Sequence, residues 1–187
     1  MNIESNNLTI PEGIFPVKTI SFNPKDKLEL LNIYNNWVNL STQLRNIGAR
    51  GINLPEGLSE SAFCIEMDCI RVVGSIPKAN SSWDCYNLNT KKRIQVKACS
   101  VLPDLTSFGP SSQWDELYFV DFYNEGKWDG TFNIYKIENN LIYSHKVNAN
   151  QTFRDQQLQK RRPRFSIYKE IILRNHISPI KKCNLSY

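Results

Sequence analysis

The spacing of apolar residues along the chain predicts an α/β protein. Asn23 and Pro24 have the character of a helix cap and first turn, and the apolar stripe that follows them ends at Gly48. A second helix is predicted from Ser59, which would be its N-cap, to the region of Asp68. The stripe of the first helix consists of Leu30, Ile33, Trp37, Leu40, Leu44 and Ile47, and that of the second contains Phe63, Met67 and Ile70.

Shorter apolar runs between these helices and the C-terminus predict strands. We expect them at about residues 70–75, 82–88, 92–101, 116–123 and 130–137, with an edge strand at 141–147. The run at 116–123 is apolar enough to be a central strand that is buried on both faces. These elements predict one domain over residues 1–187, with a mixed sheet of about five strands flanked by helices.

The two ends of the chain differ from its middle. Residues 1–22 contain Pro11 and Pro16 and are expected to form an irregular N-terminal arm. From Arg154 onwards there are nine Lys and Arg residues and two acids, whereas the rest of the chain has fourteen and sixteen. Thr152 and Asp155 predict a capped helix over 153–160. Such a charge asymmetry is typical of a phosphate-contacting surface, and it suggests that 150–187 is a basic, DNA-contacting part.

Composition excludes several classes of protein. The chain has 187 residues and is 41% hydrophobic, without an apolar run long enough to span a membrane or a signal-peptide layout. Its five cysteines include no CxxC pair, so we expect free thiols in a reducing cytoplasm and not a disulfide scaffold or zinc site. The two histidines, His145 and His176, are few for a histidine-based metal nuclease or hydrolase.

Three polar residues in one predicted hairpin indicate a catalytic site. If Asn89 and Thr90 form a two-residue turn, Asp84 lies opposite Gln95, and Lys97 shares their face of the sheet. A four-residue loop would instead oppose Asp84 and Lys97, and an odd loop would break the arrangement. Asp84 and Gln95 then offer two oxygen ligands to a hard cation such as Mg²⁺, and Lys97 can orient or deprotonate a water. The alternative is a hairpin whose solvent-facing side happens to be polar.

Longer motifs carry a resemblance to a known family. They are Gly-Ile-Asn-Leu-Pro-Glu-Gly-Leu-Ser-Glu (51–60), Ile-Gln-Val-Lys-Ala (94–98), Thr-Ser-Phe-Gly-Pro (106–110), Trp-Asp-Glu-Leu-Tyr-Phe-Val-Asp-Phe (114–122) and the segment 155–166. Over about 50–164 the chain resembles small type II restriction endonucleases of the PD-(D/E)xK superfamily, specifically the family that cuts GCNGC-type sites. Two departures stand out: Trp83 replaces the proline before Asp84, and Gln95 replaces the usual acid.

The resemblance implies a restriction-endonuclease-like α/β core and a further acid on the helix before the hairpin. We assign that acid to Glu66, beside the apolar stripe, with Asp68 as the alternative; Glu60 is explained as a first-turn acid that favours the helix dipole. The alternative for Glu66 is a solvated helix-face acid. The family also implies a DNA methyltransferase that protects the host's own DNA.

Two polar segments are candidates for DNA contact. The loop after the lysine strand offers hydroxyl groups, and the basic C-terminal segment interleaves glutamines with arginines, which pair with adenine and guanine or hold phosphates. The alternatives are an ordinary turn and a solvated basic face. The candidates are Thr106, Ser107, Ser111, Ser112, Gln156, Gln157, Gln159, Lys160, Arg161, Arg162 and Arg164.

The sequence therefore predicts a Mg²⁺-dependent type II restriction endonuclease. It would hydrolyse double-stranded DNA at a short palindrome, leave 5′-phosphates and act as a homodimer, because a palindrome calls for two related active sites. Two alternatives stay open: a repair or structure-specific nuclease on the same core, and a DNA-binding module whose catalytic site is dead because Gln95 leaves it a charge short.

Overall fold

A mixed β-sheet forms the centre of the molecule. The computed structural model describes residues 1–76, 79 and 82–186. Within these residues the sheet has eight strands: β1 (Asn2–Ile10), β2 (Gly13–Ser21), β3 (Ile70–Val72), β4 (Cys85–Asn87), β5 (Lys92–Cys99), β7 (Glu116–Asp121), β8 (Thr131–Ile137) and β12 (Lys181–Asn184). They are adjacent in that order, and β5 and β7 are parallel whereas the other neighbours are antiparallel. The mixed α/β class is confirmed, with eight strands instead of about five.

The expectation of an irregular N-terminal arm is wrong. Strands β1 and β2 form a long antiparallel hairpin. Asn2 pairs with Ser21 at one end, Ile10 pairs with Gly13 at the other, and the register is continuous between them. Pro16 is tolerated within β2 because β3 pairs only with Thr19 and Ile20, so the missing N–H of Pro16 is not needed on that side. The hairpin buries Leu8 and Val17 and extends the sheet beyond β3.

Two apolar cores cover the two faces of the sheet. Helices α1 (Lys27–Asn46) and α2 (Glu56–Met67) pack on one face, where Trp37 and Phe63 meet side chains of β7 and β8. The opposite face is covered by the segments around Trp114, Phe153 and Phe165. Strand β7 lies between both cores and is buried from Leu117 to Asp121, which confirms the prediction of a doubly covered central strand.

The helix boundaries differ from the sequence prediction at one important place. Asn23 and Pro24 do cap a short 3-10 turn that leads into α1. However, α2 begins at Glu56 after Pro55, three residues before the predicted cap at Ser59. Ser59 is consequently inside the helix, where its hydroxyl donates to the carbonyl oxygen of Glu56. This earlier start places Glu60 in the second turn of α2.

The C-terminal third is built from short elements. Residues 139–143 form a helix, α3 (Asn139–Tyr143), so the predicted edge strand at 141–147 is wrong; only Lys146–Asn148 is a strand, β9, and it pairs with β10 (Gln151–Thr152). Helix α4 (Phe153–Leu158) follows, with the expected reciprocal Thr152–Asp155 capping box. Strand β11 (Arg164–Phe165) pairs with β6 (Thr106–Ser107), and a π-helical turn at Tyr168–Leu173 leads to β12.

Among the described residues, no helix combines the length and the apolar character that crossing a membrane requires.

Candidate active site

The hairpin of β4 and β5 has the register that the sequence predicts. Cys85 pairs with Ile94 and Asn87 with Lys92, so the same register continued by one residue sets Asp84 opposite Gln95. The strands end earlier than expected, which leaves a four-residue turn at 88–91 without changing this register. Ile94 and Val96 face the helices α1 and α2, and Gln95 and Lys97 therefore point to the other face.

A cavity of about 500 Å³ opens beside this hairpin. Its wall includes Asp84, Lys97 from β5, Glu60 from α2, Asp104 from the loop after β5, and Arg164 from β11. Four separate segments of the chain thus bring acidic and basic side chains to one space. The combination of convergent polar groups in a concave site is characteristic of a catalytic or binding centre.

Asp84 is half-buried at the cavity, and its pKa differs from the ordinary value of a carboxyl group. Its Oδ2 accepts a hydrogen bond of 2.8 Å from the backbone N–H of Val96 and another from the side-chain amide of Gln95. Burial, reinforced by the negative charge of Glu60, raises the pKa of Asp84 to about 7, although Lys97 and the Val96 N–H oppose this shift. Near neutral pH, Asp84 is therefore divided between its protonated and ionised forms.

Glu60 is the second carboxylate of the cavity. It is buried, and the Arg71 guanidinium of β3 donates to its Oε2 at 2.5 Å. Burial raises the pKa of Glu60, while the Arg71 hydrogen bond and the charges of Arg71 and Lys97 favour its ionised form. Arg71 therefore fixes the orientation of Glu60 and offsets part of the negative charge that the two acids bring together.

Lys97 provides a cation at the same place. Its Nζ lies 5.4 Å from the centre of the Phe108 ring, a distance that allows a cation–π contact. Its positive charge lowers the pKa values of both Asp84 and Glu60, so the ammonium group acts electrostatically on both acids. An acid pair and a lysine consequently form one interacting group.

The loop after β5 and the basic C-terminal segment are joined next to the cavity. Ser107 pairs with Arg164 across β6 and β11, and the side-chain amide of Gln157 donates to the carbonyl oxygens of Gly109 and Ser112, both at 3.2 Å. Asp104 adds a buried link, because its carboxylate accepts hydrogen bonds from the Ser166 hydroxyl and from the Ile167 N–H at 2.8 Å. The two segments predicted to contact DNA are thus parts of one surface.

Comparison with known proteins identifies the class to which this site belongs. The model of the Bsp6I restriction endonuclease family matches residues 22–174. The type II restriction enzyme Bsp6I of Bacillus sp. (strain RFL6) is 36% identical over 160 residues, which cover 84% of this chain and 87% of that enzyme. The chain belongs to the Bsp6I restriction endonuclease family. No solved structure matches it.

Membership in the Bsp6I family confirms the resemblance and makes the chain a type II, site-specific endonuclease that acts on DNA. Enzymes of this class generally use divalent metal ions. The match includes the whole cavity wall, from Asn53 to Arg164, but excludes β12 and the β1–β2 hairpin. Of the alternatives left open above, the family relationship disfavours both the catalytically dead module and the repair nuclease.

The structure does not bring Glu66 to the site. Its carboxylate lies within 2.5 Å of Lys27 Nζ and 2.7 Å of Lys181 Nζ, and it is not part of the cavity wall. Glu60 and Glu66 are six residues apart on α2, so their side chains point about 120° apart. The alternative Asp68 is exposed at the left-handed C-cap of α2 and is also outside the wall.

Gln95 contacts Asp84 in a different way from the one predicted. It is buried behind the cavity, and its amide nitrogen, not its carbonyl oxygen, faces the Asp84 carboxylate. Gln95 does not line the cavity. The structure therefore assigns it the role of orienting Asp84 and offers no support for Gln95 as a metal ligand.

The predicted DNA contacts divide by burial. Thr106, Ser112 and Gln156 are buried, and the Thr106 hydroxyl is used in a 3.2 Å hydrogen bond to Asp104. Ser107 and Arg164 lie at the cavity, Gln157 is half-buried against the loop, and the remaining candidates are exposed: Ser111, Gln159, Lys160, Arg161 and Arg162. Sequence reasoning missed the cavity residues Glu60 and Asp104, together with Arg71, which binds Glu60. For Glu60 the available signal was Pro55, which places the helix start earlier.

The raised pKa of Asp84 predicts how the stability of the protein changes with pH. Because its folded-state pKa of about 7 exceeds the ordinary value of 3.8, ionisation of Asp84 disfavours folding progressively between about pH 4 and pH 7. We expect Asp84→Asn to gain stability relative to the wild type over this range, by on the order of 2–4 kcal/mol above pH 7 without metal. Urea unfolding at a series of pH values measures this.

Asp115→Asn is a control of opposite sign. Burial alone would raise the pKa of Asp115, but hydrogen bonds from the Arg93 guanidinium and N–H hold it below its usual range. This variant should lose stability at neutral pH. A wild type and an Asp84→Asn variant with parallel pH profiles would contradict the assignment for Asp84.

Glu66 and Glu60 provide a matched pair of Glu→Gln substitutions on one helix. We expect Glu66→Gln to lower the free energy of unfolding by about 1–2 kcal/mol, because two partly exposed lysine contacts are weakened, and to leave the DNA cleavage rate within about threefold. Glu60→Gln should instead reduce cleavage by at least about 100-fold. Denaturation and single-turnover cleavage separate the two effects, and a large loss of cleavage in Glu66→Gln alone would return Glu66 to the site.

Proposed function

We propose that this protein is a Mg²⁺-dependent restriction endonuclease that hydrolyses double-stranded DNA at a GCNGC-type site and leaves 5′-phosphates. The observation that carries the proposal is the cavity in which Asp84, Glu60 and Lys97 interact electrostatically beside Arg164 and Ser107. Its core corresponds to the PD-(D/E)xK arrangement, with the second acid supplied by Glu60 of α2 and not by the strand position of Gln95.

The donor set of the cavity fits Mg²⁺. This ion takes oxygen ligands, usually one or two carboxylates from the protein together with waters and substrate oxygens. Asp84 and Glu60 supply two such carboxylates. Burial is the main cause of the raised pKa of Asp84 and the charge of Glu60 adds to it, so a bound cation would stabilise the ionised form of Asp84. Within the described residues no three His, Cys, Asp or Glu side chains form a ready cage, which agrees with an ion that keeps most of its waters. The ion would supply charge neutralisation at the scissile phosphate.

Lys97 has the central chemical role in this proposal. Its Nζ, as an ammonium group, orients the attacking water at the rim of the acid pair, and the water releases a proton to the solvent while its oxygen bonds to phosphorus. The bond from phosphorus to the 3′ oxygen breaks, the 3′ oxygen takes up a proton, and the phosphate stays on the 5′ end. The ammonium charge also stabilises the additional negative charge of the transition state.

The surface next to the cavity accounts for substrate binding. Arg164 and the Ser107 hydroxyl are placed to hold the phosphates that flank the scissile bond, since they border the cavity and are paired across two strands. Exposed Lys160 and Arg162 extend the positive surface away from it. Such contacts give affinity that falls with salt concentration.

Three further parts of the proposal concern partners and location. A homodimer would present two active sites to the two strands of a palindrome. A DNA methyltransferase of the same specificity is the expected genetic partner, as for restriction systems generally. All five cysteines are free thiols, which favours a reducing cytoplasm.

Lys97→Ala tests the catalytic role of this lysine. Lys92→Ala is its control on the same strand, because Lys92 is exposed at the other end of β5. On unmethylated phage DNA, the wild type and Lys92→Ala should give the same discrete fragments with Mg²⁺ and none with EDTA. Lys97→Ala should cut at least about 100-fold more slowly. Equal cutting by Lys97→Ala would contradict the role of this lysine.

Sequencing the fragment ends tests the specificity separately. We expect ends that map to GCNGC and carry 5′-phosphates, shown by direct ligation without kinase treatment. Ends that map to another short sequence would overturn the GCNGC specificity and leave the nuclease assignment intact.

A further inference from the structure

We propose that Arg161, held in place by Gln151, reads a guanine in the major groove, whereas the neighbouring basic residues contact phosphates. This inference rests on the proposed function, because it concerns how the same protein recognises a guanine-containing duplex. Gln151 is not among the individual DNA-contacting candidates that the sequence predicted, and the distinction between base and phosphate contacts comes from the hydrogen bonds of the side chains.

Gln151 lies at the centre of a network of side chains between β10 and the end of α4. Its Oε1 accepts from Arg161 Nη1 at 3.3 Å and from Asn148 Nδ2 at 3.2 Å, and its Nε2 donates to Gln159 Oε1 at 2.8 Å. Gln156 adds a further donor to the same Oε1 at 3.4 Å. A side chain with four partners has little rotational freedom, so Gln151 is a fixed acceptor for the Arg161 guanidinium.

Arg161 differs from the other basic residues of this segment. There are five Lys and Arg residues between 154 and 164, and within the described part of the chain Arg161 is the one whose side chain makes a hydrogen bond. Arg154, Lys160, Arg162 and Arg164 are exposed and extend from the same stretch of backbone. A contact to a phosphate tolerates a mobile cation, whereas a bidentate contact to a base edge requires a guanidinium held in one orientation.

The chemistry of the network favours guanine over the other bases. With Gln151 bound to one Nη1 hydrogen, the remaining N–H groups of the Arg161 fork are available in one plane. Guanine presents two acceptors, N7 and O6, to the major groove, and a bidentate arginine is its most common specific partner. Adenine presents a donor beside its acceptor and therefore does not match two N–H groups.

The position of the network suits recognition close to the scissile bond. Asn148, Gln151, Gln159 and Arg161 line an open surface groove, which a base edge can approach without rearrangement of the fold. Arg161 precedes Arg164, at the cavity rim, by three residues, a backbone span of at most about 11 Å. A duplex whose phosphates contact Arg164 can thus offer a base within a few base pairs to Arg161.

The test combines protein variants with an altered base. Binding of the full chain to a GCNGC duplex is measured by fluorescence anisotropy with Ca²⁺ in place of Mg²⁺, so that cleavage is suppressed. Each guanine, together with its symmetry mate on the other strand, is replaced in turn by 7-deazaguanine, which lacks the N7 acceptor. The variants are Arg161→Ala and Gln151→Ala, with Arg162→Ala and Asn150→Ala as matched controls.

We expect one symmetry-related pair of guanines whose replacement weakens wild-type binding by roughly 5- to 150-fold per guanine, the range for loss of one base contact. Arg161→Ala should bind the normal duplex as weakly as the wild type binds the 7-deazaguanine duplex, and the base replacement should not weaken its binding further. In Gln151→Ala the base replacement should weaken binding less than it does in the wild type. Arg162→Ala should keep the full sensitivity to the base but lower the slope of log affinity against log salt by about 1. Asn150→Ala should behave as the wild type.

Two results would overturn the inference. If Arg161→Ala weakens binding to every duplex equally, and the variant stays sensitive to the same 7-deazaguanine replacements as the wild type, Arg161 contacts a phosphate. A wild type that is indifferent to every 7-deazaguanine would exclude N7 recognition by any residue. Neither result affects the nuclease assignment, which fails instead if the wild type with Mg²⁺ leaves DNA uncut.

Discussion

The burial of the Asp84 carboxyl group, next to the negative charge of Glu60, is the constraint on which the rest of the site depends. Each unit by which the pKa of a carboxyl group is raised corresponds to about 1.4 kcal/mol against its ionised form, and the pKa of Asp84 is raised from 3.8 to about 7. Arg71 on one side and Lys97 on the other offset part of this charge without removing it. A cation bound at this site would stabilise it, which is the property that the proposed metal-dependent nuclease requires.

The position of this acid pair depends on the sheet and on the surrounding loops together. Strand pairing sets Asp84 against the buried Gln95, helix α2 carries Glu60 to the cavity, and the Asp104 carboxylate ties the loop after β5 to the segment that follows Arg164. The surface proposed to contact DNA is therefore connected to the cavity by buried hydrogen bonds. Displacement of the basic segment would be transmitted to the cavity wall, because both are built on the β6–β11 pair.

Much of this arrangement could be predicted from the sequence where a local rule governs it. Strand alternation places Gln95 and Lys97 on one face, the assumed turn centred on Asn89 and Thr90 sets Asp84 opposite Gln95, and the Thr152–Asp155 cap follows from its spacing. The β1–β2 hairpin was missed because β1 is polar and exposed over most of its length, so its alternation is weak, and because Pro16 argued against a strand. Glu60 was missed because the N-cap of α2 was placed at Ser59 and not at Pro55. This shift of four residues made a cavity acid look like a first-turn acid that favours the helix dipole. Which of Glu60 and Glu66 reaches Asp84 depends on the packing of α2 against the sheet and on Lys27 and Lys181, which no local pattern reveals.

The most direct test of the central claim is a Mg²⁺ titration of the full chain with ¹³C-labelled carboxyl groups, followed by NMR. We expect the resonances of Asp84 and Glu60 to shift together with one apparent affinity, and the pKa of Asp84 to fall when the ion is present. The resonance of Glu66 should stay unchanged, since its carboxylate is already bound by two lysines. A titration that shifts Glu66, or that leaves Asp84 and Glu60 unchanged at saturating Mg²⁺, would contradict the account.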